Sequence, residues 1–204
     1  MYQKYIKRII DFILALLGVI VLSPILLLIC LAIKIDSKGP IIFKQKRVGK
    51  EKVHFNIYKF RTMKNDTPKE IPTHLLNQPD AFITKVGKLL RKTSLDELPQ
   101  LFNILKGDMS VIGPRPALWN QYDLIAERDK YRVNEAQPGL TGLAQISGRD
   151  ELEIPVKAQL DGKYTENVSF MMDLKCFVGT LLSIVKSDGV VEGGTGTKKK
   201  ADDE

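Results

Sequence analysis

The chain is poor in the residues that build metal centres and disulfide frameworks. Of its 204 residues only two are cysteines, Cys30 and Cys176, and only two are histidines, His54 and His74. Neither cysteine belongs to a Cys-x-x-Cys pair and each lies in an apolar run, so neither a zinc site nor a disulfide-stapled fold is expected. The isolated histidines read as ordinary surface or core residues. A Walker loop with its lysine, a dinucleotide fingerprint and internal repeats are all missing. Gly139-Leu140-Thr141-Gly142 has Gly-x-x-Gly spacing, which by itself does not make a phosphate loop.

What is there is 44% hydrophobic and 27% charged, a balance that suits one compact domain with a sizeable core. Lys and Arg number 31 against 24 Asp and Glu, a net charge of +7. Such a chain favours an anionic partner: nucleic acid, a phosphorylated ligand or anionic lipid.

A single long apolar run narrows that choice. Phe12 to Ile33 is about 22 residues without a charge, long enough to span a bilayer core. Lys4, Lys7 and Arg8 precede it and Lys34 follows. It is too long for a cleaved signal peptide and has no small-x-small exit. Ser23-Pro24 falls at its centre, where proline removes a backbone donor and frees carbonyls around Val19 and Ile20. In hydrocarbon those carbonyls need partners, and the Ser23 hydroxyl is placed to help. Two arrangements are open: a kinked spanning helix, or a helix–break–helix hairpin that enters and leaves one leaflet. Cationic flanks at both ends favour the hairpin.

Further along, Ile41 to Gly49 and Phe55 to Met63 read as a β-hairpin after the turn Asp36 to Pro40. Residues 64–80 read as a surface loop, Ala81 to Arg91 as a helix, and Ser94 to Gly107 as another with glycine as its stop. Leu118 to Arg132 and residues 155–166 read as helices, with one brief strand at Leu143 to Ile146 between them. Phe170, Leu174, Phe177, Leu181 and Val185 form one stripe of an amphipathic helix, with Asp173, Lys175, Ser183 and Lys186 largely opposite. That stripe either packs on the domain or lies in a membrane interface. The segment from Gly189, glycine-rich and then Lys-Lys-Lys-Ala-Asp-Asp-Glu, reads as a disordered tail.

The stretch Thr93 to Gln100, TSLDELPQ, carries two adjacent carboxylates, Asp96 and Glu97. Ser94-x-x-Glu97 has the form of a capping box, with Asp96 in a first turn that welcomes negative charge. Against a purely structural reading stand Pro99, which distorts such a turn, and the cations Lys59, Arg61, Arg91, Lys92 and Arg115. Arg115 lies in a stiff Pro-Arg-Pro turn and offers a planar fork that matches phosphate oxygens. Carboxylates beside several cations at a membrane suit Mg²⁺-assisted chemistry on a phosphate, with an ionised Asp as nucleophile. A non-enzymatic basic module on a membrane surface would explain the charge but gives no reason for the Asp-Glu pair.

In KRIIDFILA, IFKQKRVG, FNIYKFRTM, RKTSLDELPQLFNILKGDMSVIGPRP, PGLTGLAQISGR and LDGKYTENVSFMMDLK, the chain resembles the small monotopic phosphoglycosyl transferases of the bacterial sugar transferase family. The likeness runs from Lys7 to about Gly189. It is to the minimal catalytic form, without an additional amino-terminal membrane domain, and PALWNQYDLI is similar to capsular-polysaccharide initiators.

The resemblance implies an α+β, mostly helical fold: an amino-terminal re-entrant membrane helix–break–helix, interfacial amphipathic helices and a small β-hairpin. Residues 1–35 would be the anchor, with Ser23 and Pro24 at its apex, and 36–188 the catalytic domain, one unit with it. The tail would be 189–204. The implied reaction moves a sugar 1-phosphate from a UDP-sugar to undecaprenyl phosphate and releases UMP. It implies Asp96 as nucleophile, Glu97 as its partner and Mg²⁺ at both. Arg115 would contact the nucleotide–phosphate end, with Arg149, Asp161, Lys59 and Arg91 as further substrate-side positions. An N-acetylated amino sugar is the expected cargo and a UDP-hexose the alternative. Undecaprenyl phosphate, membrane lipid and downstream glycosyltransferases are the expected partners, not nucleic acid, at the cytoplasmic face of a bacterial inner membrane. One departure stands out: Leu143 occupies a position where many relatives carry Trp, which removes any aromatic lid there.

Overall fold

The computed structural model describes residues 2–65, 67, 82–148 and 152–186. Arg149, His74, most of the expected 64–80 loop and the tail from 189 lie outside the described residues.

The apolar run forms the central part of one helix, α1 (Lys7–Asp36), entered through a π turn at Tyr2–Ile6. Its 30 residues extend roughly 45 Å, long and apolar enough by length and composition to cross a membrane. The expected interruption at Ser23-Pro24 does not split it: Pro24 lies inside a continuous helix. Pro24 cannot donate to the Ile20 carbonyl four residues back, and the Ser23 hydroxyl donates to that oxygen instead, at 2.8 Å.

Both halves of α1 pack on one folded body. Ala15, with Val19 and Leu22 beside it, joins a core of Ile57, Leu101, Ile104, Met109, Tyr164 and Cys176. Ile29 and Ile33, with Leu26 and Cys30, join a second core containing Phe60, Leu90, Leu95 and Leu98. Polar contacts seal each end. At the start, the Lys7 ammonium lies 2.7 Å from Asp173, and Asp11 accepts from the Ser110 hydroxyl at 2.6 Å and the Val111 N–H at 3.0 Å. At the far end, Asp36 accepts from the Val86 N–H at 3.1 Å, and Arg61 donates to the Ser37 and Lys38 carbonyls. The opposite face of the helix, including Phe12, Leu17, Val21, Leu27 and Leu28, remains exposed.

The hairpin forms as its alternation predicts. Strands β1 (Ile42–Val48) and β2 (His54–Phe60) pair antiparallel, with Ile42 opposite Phe60 and Val48 opposite His54. Asn103, fully buried, accepts from the Tyr58 N–H at 2.9 Å and donates to the Asn56 carbonyl at 2.8 Å, fastening β2 to the next helical layer. Helix α2 (Lys85–Lys92) begins where Thr84 accepts from the Gly87 N–H at 3.0 Å. Helix α3 (Gln100–Lys106) ends at Gly107, whose φ of 97° places it in the left-handed region.

Two sequence expectations change here. The brief strand is not at Leu143–Ile146 but begins four residues earlier, where β4 (Gly139–Thr141) pairs parallel with β3 (Ser110–Ile112). Bare backbone permits this, since a Cβ on Gly139 would come within 2.1 Å of the Gly113 nitrogen. Leu143–Ile146 is a helical turn, α5. The expected helix from Leu118 to Arg132 is also shorter, α4 (Tyr122–Asp129), because the chain turns left-handed at Arg132, φ 54°.

Helix α6 (Ile154–Glu166) matches its prediction, and α7 (Phe170–Lys186) forms with its faces reversed from a domain-packed helix. Asp173, Cys176 and Thr180 point inward, while the stripe from Phe170 through Leu174 and Phe177 to Leu182 is 41–69% exposed. Asp173, expected on the solvent side, is buried because Lys7, Tyr2 and Tyr164 all bind it, each at 2.7 Å.

Candidate active site

Between α2 and α3 the chain does not run as one helix. Thr93 closes α2, its hydroxyl donating to the Leu89 and Leu90 carbonyls, and Ser94 then takes a left-handed conformation, φ 56°. Leu95–Glu97 make one 3-10 turn, and Pro99 immediately precedes α3 as its N-cap, where its missing N–H costs nothing. The expected capping box is therefore absent: the Ser94 side chain caps nothing. Glu97 does not reach back because two cations hold it. Its Oε1 accepts from Lys59 Nζ at 2.8 Å and Arg115 Nη2 at 2.6 Å, and its Oε2 from Arg115 Nη1 at 3.3 Å. Charge-assisted bonds of this kind are about twice as strong as a neutral one to a backbone N–H.

Asp96 shares the turn but not these partners. It is 9% exposed, and no hydrogen bond reaches its carboxylate among the described residues. Burial pushes its pKa up to about 6, with Glu97 adding to the rise and Lys59, Arg91 and Arg115 opposing it. For Glu97 burial also acts upward, but Arg115 and Lys59 outweigh it and hold the group well below the ordinary range. Adjacent carboxylates are thus driven apart by their surroundings, the pattern that separates chemical roles in acidic pairs.

The cations come from three different elements. Lys59 stands on β2, Arg91 on the last turn of α2, its Nε donating to Thr62 at 2.9 Å, and Arg115 follows β3. Around Arg115 each successive carbonyl is held by a donor. Pro114 accepts from the Gly139 N–H at 2.9 Å and Arg115 from Arg128 Nη1 at 2.9 Å. Pro116 accepts from Arg47 Nη1 at 3.0 Å and Ala117 from the Val48 N–H at 3.0 Å.

The structure brings Asp96, Glu97, Lys59, Arg91 and Arg115 into one cluster. Asp161 does not line it. At 1% exposure it is sealed below the turn, its Oδ2 accepting from Arg128 Nε at 3.0 Å and Nη2 at 2.6 Å. Both of its hydrogen bonds among the described residues come from Arg128, so it stands behind the cluster rather than on its lining. Leu143, 6% exposed, is part of the main core. Arg128 and Arg47 escaped the sequence reading. The only signal for Arg128 was its spacing of four from Leu124 on the inward face of α4.

A magnesium ion fits the donor set in one respect. Asp96 presents a hard carboxylate without a hydrogen-bond partner among the described residues, and Mg²⁺ is commonly held by one or two carboxylates together with substrate phosphates. Among the described residues no group of three or more His, Cys, Asp or Glu could hold a metal unaided.

Residues 2–187 match the family model described as bacterial sugar transferase. The chain is 40% identical over 186 residues to an uncharacterized sugar transferase, EpsL, of Bacillus subtilis, covering 91% of this chain and 90% of that protein. It is 41% identical over 181 residues to the UDP-glucose:undecaprenyl-phosphate glucose-1-phosphate transferase of Escherichia coli, covering 85% of this chain and 39% of that protein. With the UDP-N-acetylgalactosamine-undecaprenyl-phosphate N-acetylgalactosaminephosphotransferase of Aeromonas hydrophila it shares 37% identity over 191 residues, 91% of this chain and 45% of that protein. The chain therefore spans less than half the length of the last two relatives.

Proposed function

The chain belongs to the bacterial sugar transferase family, and on that premise we propose that it moves a sugar 1-phosphate from a UDP-sugar to undecaprenyl phosphate. The product nucleotide is UMP, and the step starts assembly of an exopolysaccharide, capsule or glycoprotein glycan. The observation that carries this reading is the Asp96–Glu97 pair, its two pKa values driven apart beside Arg115 and Lys59.

The chemistry follows from that division. With a pKa near 6, Asp96 is mostly ionised at neutral pH yet more basic than an ordinary carboxylate. An Asp96 oxygen attacks the β-phosphorus, and the bond from that phosphorus to the bridging oxygen breaks. UMP leaves with the electron pair. The phospho-sugar stays on the carboxylate until a phosphate oxygen of undecaprenyl phosphate attacks the same phosphorus and frees Asp96. No net proton is required in either displacement. Storing the phospho-sugar also means that the soluble and lipid substrates need not be bound together.

Arg115 and Lys59 receive the diphosphate. In the resting site Glu97 occupies their donors, so the arriving phosphate takes over hydrogen bonds that Glu97 held. Asp96, and Glu97 once released, are the residues that would hold Mg²⁺, which when bound would neutralise charge on the diphosphate.

Membrane placement supports the lipid half of the reaction. Both ends of α1 bind the same body, through Lys7–Asp173 and Asp36–Val86, which favours a re-entrant anchor over a span with one end across the bilayer. The exposed apolar faces of α1 and α7 would sit in the leaflet, the catalytic body on its cytoplasmic side. Cysteines at positions 5 and 38 should label from the same side; opposite-side labelling would restore a spanning helix.

The cargo is a UDP-linked N-acetylated amino sugar, with a UDP-hexose as the alternative. Relatives named for either class exist. Later glycosyltransferases would use the lipid-linked product. The deciding experiment incubates the protein with a panel of UDP-sugars labelled in the β-phosphate, without lipid acceptor. Label should remain on the wild-type protein with release of UMP, and be absent from Asp96→Asn. Full turnover with acceptor but no trapped label would replace the covalent route by one-step transfer. Normal turnover in Asp96→Asn would remove the assignment altogether.

A further inference from the structure

We propose that Arg128 is a positioning residue for Arg115, and that Asp161 serves by orienting Arg128. This rests on the reading of Arg115 as a phosphate-binding side chain.

The argument begins with the prolines. Pro114 and Pro116 have fixed φ and no N–H, so the turn cannot be held through donors of its own at those positions. The remaining joint is at Arg115, whose own φ and ψ decide where its guanidinium points. Rotation there swings the Arg115 carbonyl, and that carbonyl is the one Arg128 Nη1 holds at 2.9 Å. The neighbouring carbonyls are fastened by strand backbone and by Arg47. The Gly139 N–H holds the peptide plane that enters Arg115, and Arg128 holds the plane that leaves it, through a side chain rather than strand backbone.

Asp161 explains why Arg128 points that way. Its Oδ2 takes the Nε and Nη2 donors of the same guanidinium, so the planar fork is locked with Nη1 facing the turn. The pair is 5% and 1% exposed, too deep to meet a ligand directly. A buried ion pair is often no more stabilising than apolar side chains of similar volume, so stability alone does not account for it. Three elements meet in the contact: α4 supplies Arg128, α6 supplies Asp161, and the turn after β3 supplies the carbonyl.

The test uses UMP binding by calorimetry, with folding followed by circular dichroism. Arg115→Met must weaken UMP binding; if it does not, the functional reading of Arg115 fails, which is a separate outcome from failure of the positioning idea. Arg128→Met/Asp161→Leu removes the charges while filling the space. We expect it to fold and to weaken UMP binding about 10-fold in the wild-type background, with no further loss when combined with Arg115→Met. A purely structural pair would give either no loss or the same loss in both backgrounds, and either result overturns the proposal. Should the double variant not fold, Asp161→Asn is carried through the same cycle and judged by the same criteria. Arg128→Lys keeps the charge but cannot reach the carboxylate and the carbonyl together, so it should not rescue binding.

Discussion

Replacing Asp96 with Asn should abolish turnover and, at neutral pH, make the protein more stable. The folded-state pKa of Asp96, about 6, lies above its ordinary value of 3.8. Between those values the folded protein keeps a proton that the unfolded chain has released. The folded state then binds more protons, so wild-type stability falls as pH rises from about 4 to about 6 and levels off above that. Holding the ionised carboxylate in this site therefore costs roughly 3 kcal/mol of stability at pH 7. Asn has no charge to bury and removes that penalty. For a chain of this size such a gain raises the melting temperature by about 6–12 °C. The measurement is thermal unfolding of both proteins in detergent and EDTA, from pH 4 to 8. The curves should converge near pH 4 and separate through pH 6, with Asp96→Asn higher. A variant no more stable than wild type at pH 7, or a gap independent of pH, would show that the carboxylate is not held against its own burial. The account of its raised basicity would then fall.

Three further outcomes follow from the same geometry. Glu97→Gln should tighten metal-free UMP binding about 5- to 30-fold, releasing about 1–2 kcal/mol of competing pairing from Arg115 and Lys59. Unchanged or weaker binding by calorimetry would refute the exchange. Lys7→Met leaves Asp173 and Asp11 without their buried cation and should cost about 3–5 kcal/mol in chemical denaturation; a loss under about 1 kcal/mol would mean the Tyr2 and Tyr164 hydroxyls suffice. Phe177→Gln/Leu181→Gln should weaken partition onto liposomes roughly 30-fold, at about 1 kcal/mol for each half-exposed side chain, with an unchanged melting temperature. Equal partition would remove α7 from the membrane interface.

Elements whose signal is local were legible in advance. Alternation in Ile42–Val48 and His54–Phe60 required a hairpin, and Pro24 in the uncharged run required a partner for the Ile20 carbonyl, which Ser23 supplies, although the expected break there does not occur. Where a stretch had two local solutions, tertiary neighbours chose. Leu143–Ile146 is apolar enough for strand or helix, and the close approach of Gly113 and Gly139 settled the pairing four residues earlier. Ser94 and Glu97 have the spacing of a capping box, but Lys59 and Arg115 arrive from distant parts of the chain and hold Glu97 more strongly.

By itself the sequence determined the chemistry available to this protein. It supplied an uncharged apolar run long enough to cross a bilayer, adjacent carboxylates in a proline-bounded turn, and an arginine between two prolines. These are short-range properties, set by side chains a few residues apart. Only the tertiary structure decided how the groups differ and what supports them. Burial separates Asp96 from Glu97, Lys7 turns Asp173 inward and so turns the apolar face of α7 outward, and Arg128 and Asp161 meet beneath Arg115. Desolvation and ion pairing depend on which remote segments come together, and no local pattern records that.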